Sequence, residues 1–215
     1  MPQAVVDGGP IPAEMAGPFP GDGSNGPDAL AEYGIVRSDI TSSIAGASGV
    51  AAGVPLRVRL RVFDLSGEQP SVFPGAAVYV WHCDREGRHS MYDEGVESEN
   101  YLRGVQAADD DGWLEFTTIF PGCYPGRWPH LHMEVFSSLS DARRGHNKWR
   151  TSQLALPAQA CREAYENPGY DIARTNFRDI SLVDDLIFAD GHSLQMARVT
   201  GSADAGFEAL LNVPV

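Results

Sequence analysis

The sequence has little positive charge, few cysteines and no long apolar run. Its 215 residues carry 16 Lys and Arg against 29 Asp and Glu, which gives a formal net charge of −13. This charge repels nucleic-acid backbones and anionic membranes, and the basic residues form no cluster that would attract either. Cys83, Cys123 and Cys161 are too few and too scattered for a disulfide framework and form no C-x-x-C pair. We therefore expect a small-molecule partner, and neither nucleic acid nor a membrane.

The missing apolar runs also bear on the location of the protein. No run approaches the roughly 18 apolar residues that a membrane span needs. The first residues, 1–7, have neither the basic region nor the apolar stretch of a signal peptide. We therefore expect a cytoplasmic protein.

Residues 1–55 are predicted to form an irregular N-terminal arm. They are rich in Gly, Pro, Ser and Ala and show almost no hydrophobic periodicity. Phe19, Tyr33 and Ile35 are the candidates for anchoring this arm against a core.

The rest of the chain, residues 56–215, is predicted to be one all-β domain. Leu56, Val58, Leu60 and Val62 alternate with arginines, which is typical of a half-buried strand. The only helix signal, at 157–165, begins with a proline and ends at Asn-Pro-Gly. Many strands with one short helix favour a β-sandwich with long loops. Further strands are predicted at 76–81, 113–119 and 131–136, and a closing hairpin at 194–199 and 207–213.

Most of the candidate functional side chains lie between residues 121 and 132. His130 and His132 stand at i and i+2 of a predicted strand, so both imidazoles project from one face and can reach the same metal ion. A purely structural role for such a pair is about equally common. Tyr124 adds a hard oxygen donor that suits a trivalent ion, while imidazole suits iron, copper or zinc. A second segment, 81–92, contributes His89 and Tyr92 as further candidates.

These segments resemble the intradiol ring-cleavage dioxygenases, the group of ferric catechol and protocatechuate dioxygenases. That family is a β-sandwich whose single iron(III) is bound by two tyrosinates and two histidines. The resemblance implies a non-haem iron(III) cofactor, a small aromatic substrate and O2. It is carried by residues 16–27, 80–84, 99–104 and 151–157 and by Arg127-Trp128-Pro129-His130-Leu131-His132.

The resemblance also implies roles for single residues. Tyr124 corresponds to the axial tyrosinate, which the substrate displaces and which then serves as a base. His130 and His132 correspond to the two histidine ligands. Arg127 corresponds to the arginine that stabilises charge on the ring, and Gln153 to a polar residue of the substrate pocket. Trp128, beside Arg127, is a further candidate for substrate contact.

The sequence departs from the family pattern at residue 89. The family has Gly-Arg-Tyr at this place, with the tyrosine as equatorial ligand, whereas this chain has Gly87-Arg88-His89. A neutral imidazole in place of a phenolate changes the charge of the site by one unit, which favours the reduced metal or another transition metal. We expect His89 to be a direct ligand. Tyr92 would replace the missing phenolate only if this segment were an irregular loop.

The sequence thus predicts an intradiol ring-cleavage dioxygenase-like oxidoreductase acting on a catechol or a related small phenol. Whether it cleaves the ring depends on how His89, in place of tyrosine, alters the metal site. Two alternatives stay open. One is a biosynthetic tailoring oxidoreductase on the same scaffold, which oxidises a phenol without opening the ring. The other is a non-catalytic sandwich that binds an aromatic molecule or a carbohydrate. Homodimer formation through a sheet edge or the N-terminal arm also stays open.

Overall fold

The computed structural model describes residues 8–215, which form two β-sheets with three short helices. Residues 1–7 of the predicted arm lie outside the described residues. No helix within 8–215 is long and apolar enough to cross a membrane. The strands are β1 (Pro55–Asp64), β2 (Ser71–Val72), β3 (Ala77–Trp81), β4 (Arg103–Ala107), β5 (Trp113–Ile119), β6 (His130–Phe136), β7 (Lys148–Ala155), β8 (Arg198–Ser202) and β9 (Gly206–Pro214), and the helices are α1 (Leu139–Ala142), α2 (Ala158–Ala164) and α3 (Asp171–Arg178).

The first sheet is built around β1. On one side β1 pairs antiparallel with β5 and, at its end, with β2, and on the other side it pairs parallel with β9. β9 in turn forms an antiparallel hairpin with β8. Leu56, Val58, Leu60 and Val62 are buried between the sheets, while the arginines between them are exposed or half-buried. The strand predicted from their alternation is confirmed.

The second sheet has the strand order β4-β3-β6-β7, with all pairs antiparallel. Its inner face contributes Val78, Val80, Leu131 and Met133 to the core shared with the first sheet. β3 and β6 are nevertheless buried along their whole length. The outer face of this sheet must therefore be covered as well.

The N-terminal arm covers that outer face. Residues 8–54 form only isolated bridges and contain no helix or strand, as predicted for the arm. Leu30 and Ile35 pack on Tyr79 and Trp81 of β3. The prediction that Tyr33 anchors the arm is wrong, because its side chain is 90% exposed. The division of the chain into an arm (1–55) and a sandwich (56–215) stays a prediction.

The predicted β-sandwich is confirmed, and so are the strands at 76–81, 113–119 and 131–136 and the helix at 157–165, which is α2. The strand predicted at 194–199 begins only at β8, because backbone bonds to His192 close a turn before it. The prediction of a single short helix is wrong, because α1 and α3 are helical as well. Five elements were not predicted from the sequence: β2, β4, β7, α1 and α3. β4 and β7 are the edge strands of the second sheet, and α3 is a polar helix that packs through Ala173 and Phe177.

Candidate functional site

A row of four buried residues crosses the second sheet. His132 of β6 stands opposite Trp81 of β3 on one side and Gln153 of β7 on the other. Trp81 in turn stands opposite Arg103 of β4. Residues directly opposite in neighbouring strands project from the same face of a sheet. The register therefore places all four side chains on the outer face, beneath the arm.

Three potential metal donors meet at this row. His130 and His132 share the outer face, while Leu131 and Met133 point into the core, as the spacing predicts. The Nε2 atoms of the two histidines are 3.1 Å apart. The hydroxyl of Tyr124 lies 3.1 Å from Nε2 of His130. The structure thus brings together Tyr124, His130 and His132, as expected from the sequence.

Neighbouring groups orient the two imidazoles. Nδ1 of His130 lies 2.5 Å from the carbonyl oxygen of Trp128, so the proton of the neutral ring is on Nδ1. The lone pair is then on Nε2, which faces the other two donors. The ring of His132 stacks on Trp81, with centroids 4.8 Å apart and an interplanar angle of 5°. Nδ1 of His132 is buried without a hydrogen-bond partner within 8–215.

The electrostatics of these side chains fit a bound cation. Burial lowers the pKa values of His130 and His132 well below the usual range, so both rings are neutral, the form in which imidazole binds metals. Burial also raises the pKa of the Tyr124 hydroxyl, and the Arg127 guanidinium only partly opposes this rise. A phenolate at this position therefore needs a further positive charge beside it. One oxygen and two neutral nitrogens are a donor set suited to a transition metal such as iron.

His89 lies at the edge of the donors in the loop between β3 and β4. Its side chain is 1% exposed and stacks on Phe19 of the arm, with centroids 4.3 Å apart. The ring of Tyr124 stands edge-on to it at 5.3 Å. Both ring nitrogens are buried without a hydrogen bond, since Oδ2 of Asp93 is 3.6 Å from Nδ1. Burying unpaired polar atoms costs free energy, and metal coordination by His89 would offset this cost.

The described part of the chain contains no metal-binding cluster made of three or more His, Cys, Asp or Glu side chains. The group that converges combines Tyr124 with two histidines, and metal ligation by His89 stays a prediction. Tyr92 does lie in an irregular loop. Its hydroxyl is already used, because it accepts a hydrogen bond from the Gly21 amide at 2.8 Å and donates one to Asn25 at 2.7 Å. Tyr92 thus holds the arm.

Arg127 and Gln153 meet beside the donors. Nη1 of Arg127 is 3.4 Å from the Tyr124 hydroxyl, and Nη2 donates to Oε1 of Gln153 at 2.6 Å. Gln153 also donates through Nε2 to the carbonyl of Met15 in the arm at 3.2 Å. A positive charge and a buried amide therefore border the space next to Tyr124.

Trp128, the other predicted substrate contact, packs towards α3. Its ring lies 5.0 Å from that of Phe177, and Nε1 donates to the carbonyl of Leu156 at 2.8 Å. The backbone carbonyl of Trp128 is the part that contacts His130. Contact between Trp128 and substrate stays a prediction.

Asp185 is a residue of the site that the sequence analysis missed. Its side chain is fully buried, and Oδ2 accepts hydrogen bonds from Nε of Arg127 at 2.9 Å and from the Trp128 amide at 2.6 Å. Oδ1 accepts from the amides of Ile187 and Phe188. Asp185 lies 58 residues from Arg127 in a polar stretch, and nothing in the sequence sets it apart from Asp184.

We expect Asp185→Asn to destabilise the protein and to misplace Arg127. The amide keeps the shape of the carboxylate but leaves the guanidinium without its charged partner, which costs about 3–5 kcal/mol of unfolding free energy. Urea unfolding of the two proteins measures the difference. Asp184→Asn is the matched control, because Asp184 is exposed and its change should cost less than about 0.5 kcal/mol. Equal losses in the two variants would contradict the role of Asp185.

Comparisons with known proteins point to one family. A family model described as "Dioxygenase" matches residues 26–165. A chlorocatechol 1,2-dioxygenase of Rhodococcus opacus is 28% identical over 120 residues, which are 51% of this chain and 43% of that protein. The chain spans less than half the length of the curated relatives that it matches.

Solved structures agree in fold. An intradiol ring-cleavage dioxygenase from Tetranychus urticae has a TM-score of 0.66 and 24% identity, with 85% of this chain and 87% of that one covered. A hydroxyquinol 1,2-dioxygenase from Pseudomonas putida DLL-E4 has a TM-score of 0.55 and 18% identity, with 99% and 68% covered. The family model extends over more than half of the chain, and this chain therefore belongs to the intradiol ring-cleavage dioxygenase family.

Proposed function

We propose that this protein is a non-haem iron dioxygenase of intradiol type that acts on a catechol or a related small phenol with O2. The main support is the convergence of the Tyr124 hydroxyl and the Nε2 atoms of His130 and His132, with 3.1 Å between neighbours. Arg127 and Gln153 stand beside them, where an anionic ring substrate would need them. The names of the relatives, which include catechol and chlorocatechol 1,2-dioxygenases, agree with this substrate class.

The side chains of the site have separate tasks in this proposal. Bound iron would supply the chelation of both catechol oxygens and the reaction of the ring with O2. The Tyr124 hydroxyl oxygen, as a phenolate, takes up a proton from the incoming catechol. The guanidinium of Arg127, 3.4 Å away, stabilises negative charge on the substrate ring and is held in place by Gln153 and Asp185.

The N-terminal arm would close the site against water and limit its size. Phe19 covers His89, and a Cβ atom at Gly17 would lie 3.4 Å from Cε1 of His132. A side chain at Gly17 would therefore contact a proposed iron ligand, and the left-handed φ of +75° favours glycine at this position.

The proposed fourth donor is His89. We expect His89→Tyr to shift the visible absorption of the iron-loaded protein and to lower its reduction potential, because a second phenolate adds negative charge that stabilises iron(III). Visible spectroscopy and a redox titration measure both effects. His146→Tyr, at an exposed position, is the control and should change neither. An unchanged spectrum in His89→Tyr would place residue 89 outside the metal's ligands.

The function itself is tested by loading the protein with iron(III), adding catechol, and measuring the visible spectrum, O2 consumption and products. We expect a charge-transfer band that shifts with catechol, and a ring-opened diacid as product. Colour and O2 consumption without a diacid would identify oxidation without ring opening and overturn the ring-cleavage proposal. A protein that neither binds iron nor consumes O2 would be a binding module.

A further inference from the structure

A pocket lies between α2, α3 and Trp128, with a volume of about 510 Å³. This volume is within the range of small-molecule sites. Its apolar wall includes Trp128, Phe177 and Ile180. Its charged lining consists of three arginines and one carboxylate: Arg162, Arg174, Arg178 and Glu166. The proposed metal donors Tyr124, His130 and His132 do not line this pocket, whereas Trp128, the predicted substrate contact, does.

The charges around the pocket are not balanced. Arg174 is paired, with Asp171 at 2.6 Å and Glu166 at 3.4 Å. Arg162 and Arg178 have no carboxylate within ion-pair distance anywhere in residues 8–215. Acidic residues outnumber basic ones by 29 to 16 in this chain, so two unpaired arginines at one pocket are a local positive site on a negative protein.

We propose that this pocket binds a small aromatic carboxylate. The ring would pack against Phe177 and Ile180, beside Trp128, which is 5% exposed; these are apolar surfaces suited to a flat ligand. The carboxylate would be bound by Arg162 and Arg178, since guanidinium groups match carboxylates with paired hydrogen bonds. This pairing supplies the negative charge that these two arginines lack in the protein itself.

The pocket is separate from the iron site, but Trp128 contacts both. The ring of Trp128 lines the pocket, while its amide donates to Asp185 and its carbonyl accepts from His130. A ligand in the pocket would therefore contact the residue whose backbone orients His130 and Asp185. The proposal itself concerns binding and does not depend on the proposed iron chemistry.

Calorimetric titration of the full chain with benzoate tests the proposal, with benzamide as the neutral probe of the same shape. Benzoate should bind, and benzamide should bind at least about tenfold more weakly because it has no charge. The double variant Arg162→Gln/Arg178→Gln should weaken benzoate binding by about tenfold or more. Arg143→Gln/Arg144→Gln, at exposed positions beyond α1, is the matched control and should bind as the parent does.

A further variant separates this pocket from the iron site. If Arg127 held benzoate, binding would be lost in Arg127→Gln and retained in the Arg162→Gln/Arg178→Gln variant. We expect binding to be retained in Arg127→Gln and weakened in the double variant. It is overturned by loss of binding in Arg127→Gln alone, by equal binding of benzamide, by unchanged binding in the double variant with its fold intact by circular dichroism, or by no binding at millimolar benzoate.

Discussion

Tyr124→Phe is expected to abolish the visible absorption band of the iron-loaded protein and to lower catechol turnover by at least about a hundredfold. The substitution removes only the hydroxyl oxygen that lies 3.1 Å from Nε2 of His130. Within the described residues, Tyr124 is the one tyrosine whose hydroxyl contacts this histidine pair. The other hydroxyls are bonded elsewhere or exposed: Tyr33, Tyr79, Tyr92, Tyr101, Tyr165 and Tyr170.

Tyr92→Phe is the matched control for this experiment. It removes a hydroxyl from the same neighbourhood, but one that bonds Gly21 and Asn25 of the arm. The band should survive, and iron content should equal that of the parent. A band that persists in Tyr124→Phe and disappears in Tyr92→Phe would show that Tyr92 supplies the phenolate, and the assignment of Tyr124 would be wrong.

Arg103→Met is expected to lower the free energy of unfolding by about 3 kcal/mol or more. The side chain is 1% exposed and donates to the carbonyls of Phe19 at 3.0 Å, Pro20 at 2.9 Å and Ser90 at 2.8 Å. Methionine has a similar length but no donor, so three carbonyls, of which those of Pro20 and Ser90 are buried, would each lose a partner, at about 1 kcal/mol or more apiece. Urea unfolding measures the loss.

Arg57→Met provides the comparison for Arg103→Met. Arg57 pairs with Glu115 at 2.6 Å on the surface of the first sheet, where its side chain is 52% exposed. Exposed ion pairs contribute less than about 1 kcal/mol, so this variant should remain close to the parent. Similar losses in both variants would show that the buried bonds of Arg103 do not hold the arm.

The position of Arg103 explains why its loss should also reach the candidate site. Its guanidinium joins two segments that are far apart in the chain, the arm at Phe19 and Pro20 and the loop at Ser90. Phe19 stacks on His89, the residue before Ser90. Arg103 thus sets the position of the arm against the loop that carries His89. Asp185 has a comparable role on the other side of the site, where it holds Arg127.

Features that depend on the local geometry of the backbone could be predicted from the sequence. Side chains alternate along a strand, so the spacing of His130 and His132 was sufficient to place both imidazoles on one face. The same alternation predicted β1 from Leu56 to Val62. The family motifs around Arg127 and Gln153 identified two further residues, and the structure brings both to the donors.

Other features depend on contacts between distant parts of the chain. β7 has a mixed pattern because it is paired on one side only, and its buried half includes Gln153 beneath the arm. The exposure of Tyr33 and the packing of Trp128 on Phe177 follow from how the arm and α3 lie on the sheets. A hydrophobic or aromatic residue in an irregular segment carries no periodicity from which its burial can be predicted.

The sequence by itself determined the β-sandwich and the placement of His130 and His132 on one face, because strand alternation is a property of neighbouring residues. The role of Tyr124 as an oxygen donor to a metal stays a prediction. The tertiary structure decided that Asp185 holds Arg127 and that Arg103 joins the arm to the His89 loop. Partners 58 and 84 residues apart meet only after the sheets have packed. Which of these residues pair depends on burial and charge in the folded protein, and local sequence patterns do not encode either.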